Sequence, residues 1–182
     1  MRKIVAGLFV SLDGVMESPD KWHFPYFNEE MGAAVGTQMA AADTMLLGRR
    51  TYQEFAAFWP NAGGDDPFAA QMNNTPKLVV STTLDRVAWQ NSTLIKGSVA
   101  EELTKLKQQP GKNIAITGSA TLVRSLLRDN LLDELHLLVH PIVVGSGKRL
   151  FEDGGDPVAL TLVDAQTFST GVLSLTYRPV GT

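Results

Sequence analysis

The hydrophobic pattern along this chain alternates between short apolar runs and segments with helical spacing. The first run, Lys3–Ser11, is apolar and rich in β-branched residues, which is typical of a strand buried on both faces. A run near the end, Glu134–Val144, predicts a long strand. Shorter runs of the same kind predict four further strands, at Asp43–Leu47, Lys77–Thr82, Ser92–Lys96 and Asn113–Thr117.

Helix signals fill most of the intervals between these runs. Asn28 precedes two acidic residues and marks a helix start, because acids favour the positive end of the helix dipole. Asp66 before Pro67 is typical of an N-cap followed by proline at the first helical position. Ser98 and Glu101 have the spacing of a capping box, which begins a helix that runs to about Gln108. Apolar residues recur at helical spacing in three segments: Met31, Val35, Met39 and Ala42; Tyr52, Phe55 and Phe58; and Leu122, Val123, Leu126 and Leu127.

The end of the chain has a different pattern. Leu160–Phe168 and Val172–Tyr177 flank a short polar turn with Gly171, which predicts a β-hairpin. Up to that point strands alternate with helices. We therefore predict an α/β fold: a mostly parallel central sheet covered by helices on both faces, with an antiparallel C-terminal hairpin. Leu12–Pro25 breaks the pattern and is predicted as a loop. No repeat or linker divides the chain, so residues 1–182 are expected to form a single domain.

Composition narrows the function classes. The chain has 182 residues, and its 16 Lys plus Arg against 19 Asp plus Glu give a formal charge of −3. This charge argues against bulk binding to nucleic acid or to an anionic membrane. The absence of cysteine excludes disulfides, thiolate nucleophiles and cysteine-ligated metals. No apolar stretch approaches ~18 residues, and Asp13 interrupts any signal-peptide core. We expect a soluble, cytoplasmic protein.

The most informative segment follows the second predicted strand. After Leu47, Gly48 turns the chain, and Arg49, Arg50 and Thr51 begin a helix. Cations at a helix N-terminus oppose the helix dipole, so this placement is slightly unfavourable for stability alone. It becomes favourable if an anion binds there, held by free backbone N–H groups and by the guanidinium groups. A pair of solvated surface arginines is the alternative.

Two other strand ends carry groups suited to phosphate. Gly118, Ser119, Ala120, Thr121 and Leu122 form a junction of small residues and hydroxyls, although the GxGxxG dinucleotide fingerprint is absent. An ordinary capped turn is equally consistent with this segment alone. Ser81 and Thr82 follow the third predicted strand. Ligands of open α/β sheets gather at the carboxyl ends of strands, so three such junctions predict a phosphate-bearing ligand better than one.

Other candidate sites, for a metal ion or for a catalytic nucleophile, have weaker support in the sequence. His136 and His140 are four residues apart in a predicted strand, roughly 13 Å, so they cannot share one metal ion and are expected to be partly exposed. We expect no metal site. No GxSxG nucleophile elbow occurs. Gly145 begins a glycine-rich, basic loop that is either a structural turn or a substrate-facing loop.

The ordered set of junctions resembles the dihydrofolate reductase superfamily, and more closely its bacterial branch similar to the C-terminal reductase domain of the riboflavin biosynthesis protein RibD. The resemblance covers nearly the whole chain. It rests on Ser11–Gly14 after the first strand, Trp22–Pro25, the Leu-Gly-Arg-x-Thr element at Leu47–Thr51, the strand ends at Ser81 and Gly118, and Pro141–Gly147 followed by Leu150 and Phe151. It implies a dihydrofolate reductase-like, three-layer αβα fold.

The same resemblance implies NADPH as cofactor. Arg49 and Arg50, with Ser81 and Thr82, would border the adenosine ribose and its 2′-phosphate, and Gly48 and Thr51 belong to the same set of expected cofactor residues. The helices that begin near Arg50 and after Gly118 would offer their N-termini to the pyrophosphate, through the segment Gly118, Ser119, Ala120, Thr121 and Leu122. Nicotinamide would lie near Ala6, Gly7 and the loop of Asp13 and Gly14. Such proteins commonly form homodimers, and the apolar run Leu135–Val144 is a candidate for lying near the interface, or else a central strand of the core.

One position departs from the pattern of the dihydrofolate reductases. Dihydrofolate reductases grip the pterin with a carboxylate two residues beyond the proline of the substrate loop, where this chain has Phe27. Trp22, Phe27 and Gly145 are the expected substrate contacts, and Asp13 and His23 the candidate catalytic groups, with Glu17 and Asp20 as further acids.

The resemblance therefore implies an NADPH-dependent reductase that transfers a hydride to a small heterocycle. The substrate class is a pyrimidine, such as a 5-amino-6-(5-phosphoribosylamino)uracil-like compound, or a pterin. The alternatives are a non-catalytic nucleotide-binding module and a weak dihydrofolate reductase.

Overall fold

The computed structural model describes residues 1–181, which contain one eight-stranded sheet. In chain order the strands are β1 (Ile4–Ser11), β2 (Ala42–Gly48), β3 (Lys77–Val80), β4 (Ser92–Ile95), β5 (Asn113–Thr117), β6 (Glu134–His140), β7 (Leu160–Thr167) and β8 (Leu173–Pro179). The helices are α1 (Glu29–Ala40), α2 (Arg49–Phe58), α3 (Pro67–Asn74), α4 (Val99–Gln108) and α5 (Ala120–Arg128). Three 3₁₀ turns lie at Pro19–Lys21, Phe24–Tyr26 and Trp59–Asn61.

The spatial order of the sheet is β4-β3-β2-β5-β1-β6-β8-β7. Strands β1 to β6 run parallel, whereas β8 pairs antiparallel with β6 and β7 antiparallel with β8. The α/β fold, the mostly parallel sheet and the antiparallel C-terminal hairpin are therefore confirmed. No helix among residues 1–181 is long and apolar enough to cross a bilayer.

Alternating side chains of the inner strands define the layers. Ile4, Ala6, Leu8 and Val10 of β1 are buried with apolar residues of α4 and α5, on one face of the sheet. On the other face, Met45 and Leu47 of β2 pack with Tyr52 of α2 and Met72 of α3. Beside them, Met31 of α1 packs with Leu138 of β6. This arrangement confirms three layers.

The predicted helix starts are also present. The Asn28 side chain accepts a hydrogen bond from Met31 N at 3.0 Å, and Asp66 accepts one from Phe68 N at 2.9 Å. Ser98 Oγ accepts one from Glu101 N at 3.3 Å. Each bond satisfies an N–H group that has no partner within the helix.

Several predicted boundaries were wrong. The last parallel strand ends at His140 and not at Val144, because Pro141 has no N–H and the chain beyond it bonds to the loop after β1. The third strand ends at Val80, where Ser81 Oγ accepts the N–H groups of Thr83 and Leu84 and turns the chain. Ala42 begins β2 and does not continue the stripe of α1, which ends at Ala40.

Candidate active site

The carboxyl ends of three neighbouring strands form a continuous strip along one edge of the sheet. Because β3, β2 and β5 are adjacent, the segments after them also lie side by side. The structure thus brings together three junctions that are far apart in sequence: Ser81 and Thr82, Gly48 to Thr51, and Gly118 to Leu122. We call these segments the strand-end strip.

Side-chain hydrogen bonds join two parts of this strip. The N–H of Gly48 donates to Ser119 Oγ at 2.9 Å, and the hydroxyls of Ser119 and Thr51 share a hydrogen bond of 2.8 Å. A Cβ at Gly48 would lie only 2.9 Å from Ser119 Oγ. Gly118 has φ +73, and a Cβ there would lie 3.0 Å from Thr51 Oγ1. The first turns of α2 and α5 are therefore fixed beside each other, with their N–H groups at the same edge.

Positive charge and open volume accompany these helix starts. Arg49 and Arg50 are both exposed, and the hydrogen bond of Arg49 is a long one, 3.4 Å to Gln53 on the same helix. A cavity of about 380 Å³ lies at the ends of β3 and β4. Its lining includes Ser81, Thr82, Lys96 and Gly97. The last two residues were missed by the sequence analysis, although Lys96 ends a predicted strand and Gly97 directly follows it.

Three of the expected cofactor residues have side chains in the core. Ala6 is fully buried, and Ala120 and Leu122 are 6% and 7% exposed within the same hydrophobic cluster. Their side chains are therefore not available to a ligand, and Ala6 is covered along its backbone as well. Thr121, in contrast, is exposed, and its hydroxyl accepts a weak hydrogen bond from Arg124 at 3.4 Å.

Asp13 joins two loops at the ends of β1 and β6. Its carboxylate accepts a hydrogen bond from Ser11 Oγ at 2.5 Å and others from Val144 N and Gly145 N at 3.1 and 2.9 Å. These donors lower the pKa of Asp13 to about 2, with Ser11 as the largest cause. Gly14 and Gly145 turn the two loops with φ +82 and +86. At neutral pH the Asp13 carboxylate is ionised, so its geometry suits positioning better than proton donation.

Aromatic side chains surround His140 at the carboxyl end of β6, and we call them and His140 the His140 cluster: Phe9, Trp22, His23, Phe24, Tyr26, Phe27 and His140. His140 has 0% exposure, which contradicts its expected partial exposure. Four rings meet it edge-to-face, with centroids 5.1 to 6.1 Å away. The sequence analysis missed His140 because a histidine in a strand gives no sign of which elements will cover it.

The expected substrate residues of this region lie at different depths. Trp22 is buried, and its indole N–H donates to the carbonyl of Glu17 at 3.1 Å. His23 stacks on Phe9 with centroids 4.7 Å apart, whereas Phe24 and Phe27 are 63% and 53% exposed. Burial, with a smaller effect of His140, lowers the pKa of His23, so the neutral imidazole is favoured at neutral pH.

The other acids of this region are occupied or exposed. Glu17 accepts the N–H of Lys148 at 3.0 Å, and Asp20 is exposed. Glu30 accepts the N–H and the hydroxyl of Ser169 in the β7–β8 turn, at 2.9 and 2.6 Å. These two bonds lower the pKa of Glu30 and direct its carboxylate toward that turn. None of the three replaces a carboxylate at position 27.

Comparison with known proteins identifies the protein family to which this sequence is similar. A profile described as the RibD C-terminal domain matches residues 2–174. The Bacillus subtilis (strain 168) protein YyaP is 31% identical over 183 residues, which cover 97% of this chain and 95% of the relative.

Two solved structures share the fold. A pyrimidine reductase-like protein from Corynebacterium diphtheriae superposes with a TM-score of 0.68 at 14% identity, covering 100% of this chain and 93% of the other. Dihydrofolate reductase from Enterococcus faecalis, complexed with NADP(H), superposes with a TM-score of 0.65 at 16% identity, covering 98% and 96%. At these identities the comparisons show a dihydrofolate reductase-like fold.

Proposed function

The chain belongs to the RibD C-terminal domain family, and from this premise we propose that it is an NADPH-dependent reductase acting on a small heterocycle of the pyrimidine or pterin type. The strand-end strip is the observation that carries the proposal. It joins two helix N-termini, two exposed arginines and a cavity of about 380 Å³ along one edge of the sheet. The names of the structural neighbours, a pyrimidine reductase-like protein and an NADP(H)-complexed dihydrofolate reductase, support the same reading.

The residues of the strip fit a dinucleotide. A pyrophosphate needs N–H donors, and the first turns of α2 and α5, which the close contacts at Gly48 and Gly118 fix beside each other, supply them. Arg49 and Arg50, with Ser81 and Thr82, are assigned to the ribose and its 2′-phosphate. The region of β1 around Ala6 and the loop of Gly14 are assigned to the nicotinamide, which would contact partly exposed Gly7 and Gly14 more directly than fully buried Ala6.

On this proposal the protein contributes binding, orientation and exclusion of water. The cofactor, when bound, supplies the hydride. Asp13 holds the loops after β1 and β6 together and thereby fixes Gly14 and Gly145 on either side of the substrate pocket. Trp22 and Phe27 form its apolar wall. His23 remains the candidate proton donor, and its lowered pKa makes the protonated form a minor species at neutral pH.

The cofactor assignment is tested by calorimetric titration of the protein with NADPH and with NADH. We expect NADPH to bind more tightly, because two arginines and two hydroxyls face its additional phosphate. Replacing both arginines, Arg49→Ala with Arg50→Ala, removes up to two charge-assisted contacts. Each contact contributes roughly a factor of ten or more to binding, so the variant should lose most of the preference.

A matched control removes two positive charges elsewhere. Arg128→Ala with Lys105→Ala changes the net charge equally, and both side chains are well exposed, at 75% and 66%. This control should keep the preference for NADPH. Equal affinity of the unmodified protein for the two cofactors would overturn the 2′-phosphate assignment.

A second candidate function is nucleotide binding without turnover. It is favoured by the Asp13 carboxylate, whose two oxygens are both occupied by donors of the protein itself. Incubation with NADPH and a panel of pyrimidines and pterins separates the two functions. Loss of NADPH absorbance with one member of the panel supports the reductase, and tight NADPH binding without any oxidation supports the binding module.

A further inference from the structure

The two ring nitrogens of His140 have different surroundings. Its Nδ1 lies 2.8 Å from the carbonyl of Leu138 and 3.3 Å from that of Val10. Both carbonyls are acceptors, so Nδ1 carries the hydrogen and donates it. In the neutral ring the other nitrogen, Nε2, therefore bears a lone pair and can only accept. The backbone of β1 and β6 thus fixes the tautomer of this histidine.

The Nε2 atom of His140 has no hydrogen-bond partner, although it is completely buried. Because Nδ1 faces the strands, the opposite edge of the ring faces the His140 cluster, where Phe9, Trp22 and Tyr26 meet the imidazole edge-to-face. Aromatic walls offer this lone pair nothing to accept from. A buried acceptor without a donor is costly, and such groups are rare unless a ligand or water satisfies them.

A second nitrogen of the same cluster is also without a partner. Nδ1 of His23 is buried and unbonded, and the two imidazole centroids are 6.1 Å apart. Nothing fixes the tautomer of His23, so its Nδ1 can donate while His140 Nε2 accepts. Within residues 1–181, no carboxylate bonds to either ring. The pair therefore offers one acceptor and one donor in an uncharged, aromatic setting.

The segment that covers these nitrogens is held only locally. From Ser18 to Phe27, the backbone N–H groups that bond do so within the segment, and the Trp22 side chain bonds only to Glu17. No hydrogen bond described for residues 1–181 ties this segment to the sheet. Packing, and no ladder bond, holds Trp22, His23 and Phe24 over His140, so a ligand would reach Nε2 by displacing them.

We propose that the substrate pocket selects an uncharged, planar heterocycle with a ring lactam, whose N–H donates to His140 Nε2 while its carbonyl accepts from His23. This inference rests on the proposed function and names the group by which its substrate is recognised. Exposed Phe24 and Phe27 supply faces for stacking the ring. The His140 cluster contains no carboxylate, and exposed Asp20 exerts only the smallest of the three effects on the pKa of His23, so a basic ring that binds as a cation is disfavoured.

Two probes that differ by N-methylation test the inference, and a difference caused by the bulk of the methyl groups alone would survive the loss of the acceptor at His140. Pteridine-2,4-dione has ring N–H donors, and its 1,3-dimethyl derivative keeps the ring and carbonyls but has none. Binding of each to the full chain is measured by calorimetry, in the presence and absence of NADPH. Since leaving a buried acceptor unpaired is costly, we expect the dione to bind about tenfold or more tightly than the dimethyl compound.

The histidines also provide a direct spectroscopic signal. The chain contains only three, so ¹⁵N-histidine labelling yields a simple spectrum. Saturation with the dione should move the Nε2 resonance of His140 in the direction of a hydrogen-bonded nitrogen. His136 serves as an internal reference, because its ring nitrogens already bond to Gln38 and Glu134 at 3.0 and 3.1 Å. This measurement uses the unmodified protein and does not depend on any variant folding.

A conservative variant separates recognition from stability. His140→Asn keeps an amide donor for the carbonyls of Leu138 and Val10 but removes the acceptor at Nε2. We expect it to abolish the difference between the two probes while NADPH affinity stays unchanged. His136→Asn is the matched control in the same strand and should keep the difference.

Each outcome separates this inference from the proposed function. If the dione binds through His140 but NADPH does not bind, the lactam site stands and the reductase proposal fails. Equal binding of the two probes, binding of neither probe, or a His140 signal that does not move at saturation overturns the lactam site. In each of these cases the cofactor titrations decide the reductase proposal independently.

Discussion

At the position where dihydrofolate reductases carry the carboxylate that grips the pterin, this chain has Phe27, an aromatic side chain that is 53% exposed. Its ring lies edge-on to His23, with centroids 6.3 Å apart, and has no charge to offer a protonated ring. Glu30, in the first turn of α1, does not take the place of that carboxylate, because it accepts hydrogen bonds from Ser169. On the proposed function, recognition of the substrate at this residue would therefore be apolar.

We expect dihydrofolate turnover to be absent or far below that of a dedicated enzyme. A charge-assisted hydrogen bond contributes roughly 1.5–3 kcal/mol, so its loss alone reduces transition-state binding about tenfold or more. The measurement is dihydrofolate-dependent loss of NADPH absorbance with pure protein. Phe27→Ala should change this low rate little while leaving NADPH affinity intact. Robust turnover by the unmodified chain would show that another acid takes over the role.

Gly118 is a residue at which the strand-end strip tolerates little change. With φ +73, any other side chain costs roughly 1–2 kcal/mol in backbone strain. A Cβ would also press on the Thr51 hydroxyl from 3.0 Å and separate the starts of α2 and α5. We expect Gly118→Ala to lower the free energy of unfolding by about that strain and to weaken NADPH binding, as measured by denaturant unfolding and calorimetry.

A matched glycine in α1 provides the control for this prediction. Gly36 has nothing within 4 Å of an added Cβ, and it lies within the helix. Gly36→Ala should therefore stabilise the protein, by about 0.5–1 kcal/mol, and leave NADPH affinity unchanged. Unchanged cofactor affinity in Gly118→Ala would contradict the role given to the contact between α2 and α5.

At the scale of secondary-structure elements, the sequence predicts the features that a few neighbouring residues determine. Strand runs, the caps at Asn28, Asp66 and Ser98, and the glycine turns at Gly48 and Gly118 each follow from a few neighbouring residues. The residues of the strand-end strip are predictable for the same reason, since parallel strands deliver their carboxyl ends to one edge. Long-range pairings are not local in this sense. Asp13 reaches Gly145 across 132 positions, and that contact gives no periodic signal.

The packing of the segment after β1 over His140 is the other feature that could not be predicted from the sequence. Pro19, Pro25 and Gly14 correctly mark Leu12–Pro25 as irregular. The two 3₁₀ turns within it, and the rings that they place over β6, depend on packing against a strand more than 110 residues away. For the same reason the burial of His140 and the end of β6 before Val144 were missed.

The His140 cluster predicts a specific loss of stability in mild acid. Burial lowers the pKa of both His23 and His140 from 6.5, so below that pH the unfolded chain binds protons that the folded protein does not. The free energy of unfolding should fall from about pH 6.5 downward, by roughly 1.4 kcal/mol for each unit of depression, until the folded pKa values are reached. Denaturant unfolding between about pH 7 and pH 5 measures this.

Other titrating groups act outside this range, which makes the effect assignable. Asp13 and Glu134 have pKa values lowered to about 2, so their stabilisation is present above the unfolded values near 4 and is lost only below them. Lys77, with its pKa lowered to about 8 by burial, is protonated in both states throughout. His140→Asn should flatten the decline, whereas His136→Asn should not. A decline of equal size in His140→Asn would refute the assignment.

At the scale of the whole molecule, the sheet order decides where a second copy could pair. The apolar run Leu135–Val144 is the sequence-based candidate, but β6 lies between β1 and β8 and has no free edge. It is a core strand. The free edges of the sheet are β4 and β7, and β7 is the longer of the two, with eight residues against four. Most of β7 is exposed, including Leu162 and Val163 at 51% and 45%.

Half of the residues of β7 are polar, and its pairing with β8 is irregular between Leu162 and Asp164, but an exposed edge strand of this length is still a template for pairing with another chain unless something covers it. A two-fold axis beside β7 would pair it with its own copy, since an isologous contact needs only one self-complementary patch. We therefore propose a homodimer through β7.

Sedimentation equilibrium at micromolar concentration should give about twice the 19.7 kDa of one chain. Leu162→Lys with Val163→Lys should shift the mass to that of one chain, because charged side chains on an edge strand block pairing. Phe58→Lys, on α2 and 61% exposed, controls for the loss of a surface apolar group and should leave the dimer intact. A mass near 19.7 kDa for the unmodified protein would refute the dimer, and a dimer that survives the double lysine variant would place its interface elsewhere.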